Sequence, residues 1–341
     1  MSEQNLHFDS PHKRLPDIAD MAEAIRRGDR IKLGQAITLT ESTRADHQIQ
    51  ARELINYCLP HSGKSIRIGV TGSPGVGKST FIEALGSYLV NQNKKVAVLA
   101  IDPTSQISKG SILGDKTRME KLSNHPLAFV RPSPAGESLG GVARKTREAI
   151  ILCETAGYEV IFVETVGVGQ SETAVHSMVD IFLLLLLPGA GDELQGIKRG
   201  IVEMADIIIV NKADGERLNL AKQARQAYAN ALHFLLPKES GWVPKFMTCS
   251  ALYETGIAET WALIKSFNAF SKENLFFEKN RKQQAGYWFY QSLREGLERS
   301  FFENEIIKQQ LKQAEAEVLE QKRSPFEAAQ ALLDFFLKSV K

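Results

Sequence analysis

Gly72-Ser73-Pro74-Gly75-Val76-Gly77-Lys78-Ser79 follows the pattern G-x-x-x-x-G-K-[ST]. Its glycines let successive backbone N–H groups turn inward on phosphate oxygens, its lysine adds a point charge, and its hydroxyl can ligate Mg²⁺. So short a pattern needs a context. Ile66-Arg67-Ile68-Gly69-Val70 ahead of it is a β-rich run, and from Thr80 onward Phe81, Leu85, Tyr88 and Leu89 share one helical face. Strand, glycine loop and helix N-terminus together make an anion site, because the helix end carries a partial positive charge. The flanking pattern weighs against a chance match, so Gly72 to Thr80 are candidate phosphate-binding residues.

Working outward, short apolar runs alternate with helical stretches from Ser65 to about Phe270: Val96–Ile101, Leu127–Val130, Val160–Val163, Ile181–Leu187, Ile207–Val210 and Lys245–Thr248. This predicts an α/β domain with a mostly parallel sheet covered by helices on both faces. Ligands on such sheets bind beyond the carboxyl ends of the strands. Asn211-Lys212-Ala213-Asp214 leaves one such end. A carboxylate at Asp214 accepts from the N1–H and 2-amino groups of guanine, whereas adenine would set an acceptor against it. A solvated turn is the bland alternative for these four residues alone. Their order after a phosphate loop favours GTP over ATP. Ser250, Ala251 and Leu252, after the last strand, are placed to give a backbone N–H to the guanine O6.

Asp102 and Glu164 stand at the ends of the second and fourth strands, where carboxylates reach Mg²⁺ near the β and γ phosphates. Gly167 follows as candidate γ-phosphate donor and hinge. Lys78, Glu164 and Asp102 are the candidate catalytic residues, and Ser79, Asp102 and Glu164 candidate metal ligands. Many regulatory GTPases read Asp-x-x-Gly-Gln here, the glutamine orienting the attacking water. This chain has Glu164 and Val168 instead, with Gln170 two positions late, which predicts slow intrinsic hydrolysis. The connections Thr104–Asn124 and Pro188–Lys198 leave the same face and are candidate mobile switch segments.

The charge balance, 42 basic against 40 acidic side chains, excludes a nucleic-acid surface by composition. Cys58, Cys153 and Cys249 are widely spaced, and the seven histidines are scattered, so neither a disulfide framework nor a cysteine or histidine metal site is expected. The seven residues Ile181–Leu187 are too few to cross a bilayer and read as a buried central strand. With no secretion signal at the start, the expected location is cytoplasmic.

Residues 1–15 read as a disordered tail and residues 16–63 as a helical segment. In the latter Ile18, Met21 and Ile25, then Ile31, Leu33, Ile37 and Leu39, then Ile49, Leu54 and Ile55 form apolar faces. Residues 64–271 form the nucleotide domain. In residues 272–341, Phe289, Leu293, Leu297 and Phe301 recur every four positions, and Ser324-Pro325-Phe326-Glu327 is a fresh helix start. These helices either cover the sheet or form an arm that pairs with a second copy.

The glycine loop, Ile101-Asp102-Pro103, Glu164-Thr165-Val166-Gly167-Val168-Gly169-Gln170-Ser171-Glu172, Pro188 to Lys198 and Asn211 to Asp214 together resemble the MeaB/ArgK family. Its members are G-protein chaperones of adenosylcobalamin-dependent methylmalonyl-CoA mutase. The resemblance implies a P-loop NTPase that binds and hydrolyses Mg²⁺-GTP, a homodimer joined through C-terminal helices, and a mutase or related acyl-CoA mutase as partner. It also implies protection of that enzyme and gating of its cobalamin loading. Asp115 joins Asp102 and Glu164 in serving Mg²⁺ on this ground alone. An ATP-dependent kinase linked to basic amino-acid transport and a metal-insertion GTPase remain the alternatives.

Overall fold

The computed structural model describes residues 17–101, 119–132, 139–165, 171–189, 199–232 and 238–339. The expectations placed on residues 1–15, Asp102, Asp115, Gly167, Val168, Gln170 and residues 190–198 lie outside them.

Seven strands form, β1 (Ile66–Gly72), β2 (Val96–Ile101), β3 (Ala128–Arg131), β4 (Val160–Thr165), β5 (Ile181–Leu186), β6 (Ile207–Val210) and β7 (Lys245–Thr248). They lie in one parallel sheet in the order β3-β2-β4-β1-β5-β6-β7. β5, the leucine run, is buried at every position. A parallel strand between two helical layers has no wet face, which is why its residues do not alternate.

Before β1 stand α1 (Ile18–Arg26), α2 (Arg30–Glu41) and α3 (Ala45–Cys58). Among the strands come α4 (Lys78–Val90), α5 (Glu120–Asn124), α6 (Leu139–Thr155), α7 (Ser171–His176), α8 (Arg199–Met204) and α9 (Leu218–Leu232), and α10 (Ile257–Glu273) follows β7. Phe81 and Leu85 of α4 and Trp261 and Phe267 of α10 pack on Val70, Leu183, Leu185 and Ile209. On the other face, Val202, Ala221 and Tyr228 pack on Leu184, Leu186, Ile208 and Val210.

Two boundaries and one burial expectation differ from the sequence reading. β4 runs on through Glu164 to Thr165, so Glu164 lies inside the strand. The connection expected over Thr104–Asn124 ends in a helical turn, α5. Ile31 and Ile49, expected on apolar faces, are 73% and 60% exposed. At 100° per residue each falls on the side of its helix away from the buried positions Leu33, Ala36 and Ile37 or Gln48, Ala51 and Leu54.

The amino end of the sheet is tied by buried carboxylates. Glu154 accepts from Gly63 N–H at 2.7 Å, Ser65 Oγ at 2.6 Å, and Arg67 Nε and Nη2 at 2.9 and 2.8 Å. Asp180 accepts from Arg67 N–H at 2.8 Å. Asp206 accepts from Phe182 N–H at 2.8 Å and Lys238 Nζ at 2.7 Å.

The chain divides into two units, Met1–Phe277 and Glu278–Lys341. The helices at and beyond that division are α11 (Phe276–Phe302), α12 (Glu305–Leu319) and α13 (Pro325–Ser339). Within the second unit Ala314, Ala328 and Leu332 form a small core with Phe301, Leu311 and Val318. Ser324 Oγ accepts from Glu327 N–H at 3.2 Å and caps α13.

Candidate functional site

β1 ends at Gly72 and α4 begins at Lys78, so the glycine loop spans the gap between a central strand and a helix N-terminus. Two of its glycines are required by geometry. Gly72 has φ +150°, and a Cβ there would come 2.5 Å from the Leu185 carbonyl oxygen. Gly77 caps α4 at φ +96°, and its Cβ would meet Asn211 Nδ2 at 2.9 Å. The left-handed conformation and the close approach both exclude a side chain.

Lys78 folds back on its own loop, its Nζ donating to the Gly72 and Ser73 carbonyls at 2.9 and 3.3 Å. Ser79 Oγ donates to Glu164 Oε1 at 3.0 Å. This brings the loop and the β4 carboxylate together. Below them Thr165 Oγ1 donates to Thr71 Oγ1 at 2.9 Å, a buried rung between β4 and β1. Thr80, Pro74 and Gly75 are exposed, and Val76 is buried under the loop.

The turn after β6 is joined to this loop. Asn211 Nδ2 donates to the Val76 carbonyl at 2.9 Å, and Lys212 Nζ to the Gly75 carbonyl at 2.7 Å. Lys212 adopts φ +56°, which bends the turn back toward the loop. Asn211 Oδ1 accepts from Ala251 N–H at 3.2 Å, and Ser250 Oγ donates to the Asp214 carboxylate. The candidate phosphate and base elements therefore form one bonded assembly. Leu252, at the tip of the turn closed by the Ser250–Thr255 bridge, is 70% exposed.

Sequence reasoning missed three of these links: the Ala251 N–H is engaged by Asn211, Ser250 braces Asp214, and Thr71 and Thr165 pair. A threonine near the end of each of two strands was the signal for the last. Nearby Cys249 has its thiol pushed up to about 12, first by burial and then by Glu259, so it stays protonated at neutral pH and serves packing rather than nucleophilic chemistry. Among the described residues no cluster of histidines, cysteines and carboxylates suits a metal ion, and no helix is long and apolar enough to cross a membrane.

Over residues 33–306 the chain matches the family model described as "Methylmalonyl Co-A mutase-associated GTPase MeaB". The chain belongs to this MeaB family. It is 44% identical over 320 residues to the GTPase ArgK of Escherichia coli, covering 93% of this chain and 97% of that protein. To the mouse protein named methylmalonic aciduria type A homolog, mitochondrial, it is 43% identical, covering 91% of this chain and 77% of that one. A crystal structure titled LAO/AO transport system kinase superposes with a TM-score of 0.73 at 37% identity, covering 95% of this chain and 99% of that one. As a MeaB-family member the chain is a GTPase on a P-loop α/β fold.

Proposed function

We propose that this MeaB-family GTPase is a Mg²⁺-dependent switch that serves an adenosylcobalamin-dependent methylmalonyl-CoA mutase, or a related acyl-CoA mutase, protecting it and gating the loading or exchange of its cobalamin. The observation that carries the switch is the Asn211–Lys212 clasp on the glycine loop, which joins a base-reading turn to a phosphate-reading loop. The family description supports the mutase as the partner in this reading.

In this reading Gly72 to Thr80 cradle the phosphates, and Lys78 exchanges the Gly72 and Ser73 carbonyls for phosphate oxygens. Asp214 accepts from guanine N1–H and its 2-amino group, with Asn211 and Lys212 bracing. Since the Ala251 N–H is held by Asn211, the Leu252 N–H is the donor to O6. Ser79 and Glu164 offer hydroxyl and carboxylate oxygens 3.0 Å apart, a hard-oxygen pair that suits Mg²⁺. Asp102 and Asp115 complete the set, and Gly167 gives its N–H to the γ-phosphate. Mg²⁺, when bound, would offset negative charge on the β and γ phosphates. Glu164 orients the metal's surroundings rather than the attacking water, so hydrolysis waits on a partner.

The C-terminal helices are proposed to join two copies. Phe289, Leu293 and Leu297, at four-residue spacing, are 64%, 51% and 60% exposed, an apolar stripe suited to another helix. Cytoplasmic location completes the proposal.

Single-turnover GTP hydrolysis by the isolated protein, with and without purified mutase, tests it. A rate well below about one per second alone, raised by the mutase, is expected. An unchanged rate together with no co-purification removes the mutase from the reading. Binding of ATP as tight as GTP would instead favour the kinase alternative that one structural relative's title carries.

A further inference from the structure

β7 closes one side of the sheet and, among the described residues, pairs with β6 alone. Lys245 and Cys249 donate their N–H groups to the Asp206 and Val210 carbonyls at 3.1 and 2.9 Å. In a parallel ladder alternate residues face the neighbouring strand, so Phe246 and Thr248 turn N–H and C=O outward. Gly256 overhangs the Thr248 carbonyl, where a Cβ would come within 2.8 Å of it. The Phe246 N–H and C=O and the Thr248 N–H carry no hydrogen bond among the described residues.

Along this edge lies a cleft of about 370 Å³, walled in part by Leu218, Arg225, Met247, Thr248, Gly256 and Glu259. Its two charges lie on opposite faces of the sheet. Phe246 packs on the α9 side with Ala224 and Tyr228, and α9 carries Arg225. On the other face Thr260 Oγ1 of α10 reaches Met247 Sδ at 3.4 Å, and α10 carries Glu259. Arg225 and Glu259 are exposed, and neither has an ion-pair or hydrogen-bond partner among the described residues.

We propose that this edge docks an extended segment of another protein as an added strand, one in which an acidic residue stands next to a basic one. Successive side chains of a strand point to opposite faces, so the acid meets Arg225 and the base meets Glu259 while the main chain bonds Phe246 and Thr248. The edge is short and begins with the exposed Lys245, which guards it against indiscriminate pairing. The charge pair supplies the selectivity.

The same cleft includes Ser250 and Thr255, and Ser250 braces Asp214. A docked strand therefore stiffens the turn proposed to hold guanine and slows GDP release. That second step rests on the guanine reading above, whereas the docking itself does not.

The probe is the capped hexapeptide Thr-Val-Glu-Lys-Val-Thr, titrated into isotope-labelled, GDP-bound protein beside a control with threonine for Glu and Lys. Amide exchange at Phe246 and Thr248 should slow, with Kd below about 1 mM and weaker binding of the control. GDP release should slow about fivefold or more. Thr248→Pro removes one outward N–H without touching the β6 ladder and should abolish binding. Arg225→Glu, a surface change that leaves the strand intact, should shift preference to a Lys-Lys peptide. Unprotected Phe246 and Thr248 at that concentration, equal binding of both peptides, or self-association through this edge on sedimentation would overturn the docking. Protection with unchanged GDP release would support the docking and overturn its link to the guanine turn.

Discussion

The two ends of the sheet solve opposite problems with the same residue types. At the amino end Glu154 is closed by four donors and Asp206 by Lys238 and a strand N–H. At the carboxyl end Lys78 rests on the carbonyls of its own loop and Ser79 on the Glu164 carboxylate. The first arrangement has no role but to stay made. In the proposed function, the second consists of bonds that a phosphate and a cation would replace, so rigidity at one end would let the other rearrange without loss of register.

Five substitutions, one of them followed across pH, would break or sharpen that contrast. Glu154→Ala should cost about 3–5 kcal/mol, because the Arg67 charge is left uncompensated at 13% side-chain exposure. An unmoved urea midpoint would end the claim that this knot anchors the sheet. Lys78→Ala should leave the urea midpoint of nucleotide-free protein nearly unchanged and weaken GTP by about 3 kcal/mol in a binding titration. Asp214→Asn should remove about 2 kcal/mol of GTP affinity and narrow the preference over ATP, measured by competition.

Gly77→Ala stands between the two ends in kind. The left-handed φ costs about 1–2 kcal/mol, and the contact with Asn211 loosens the base turn, so stability and GTP affinity should fall together. Loss of only one of the two would show that the clasp is not transmitted.

The smallest effect belongs to His176, whose ring meets Phe182 edge-on at 5.6 Å. Desolvation of the ring face against Phe182, the largest cause, pushes its pKa below the ordinary 6.5 against the opposing pull of Asp206, and the exposed remainder of the residue keeps the effect small. The unfolded chain therefore binds the proton more readily. The stability His176 contributes is complete above 6.5 and declines as pH falls through that value toward the depressed one. Replacing it by Phe should flatten this part of the urea midpoint's pH profile, and a profile identical to the parent's would remove His176 from the account.

The glycine loop between β1 and α4, the buried strand β5 and the turn after β6 were legible as elements because each is contiguous. Contacts between distant residues were not. Glu154 and Arg67 lie 87 positions apart, and an acid near the end of a helix reads as solvated until the fold brings an arginine to it. Ile31 and Ile49 misled because apolar residues in neighbouring turns were grouped without their angular position on the helix. The Ala251 N–H looked available to a base because only the folded turn shows Asn211 already holding it.

Asn211 and Lys212 reach across to the carbonyls of Val76 and Gly75, and this carries an evolutionary cost. On the proposed assignment of base to this turn and phosphate to this loop, a lineage that drifted toward another base by altering the turn would disturb the grip on phosphate in the same step. Neutral intermediates between base specificities would then be scarce, and the proposed assignment would hold the chain to one nucleotide for want of a gradual path away from it.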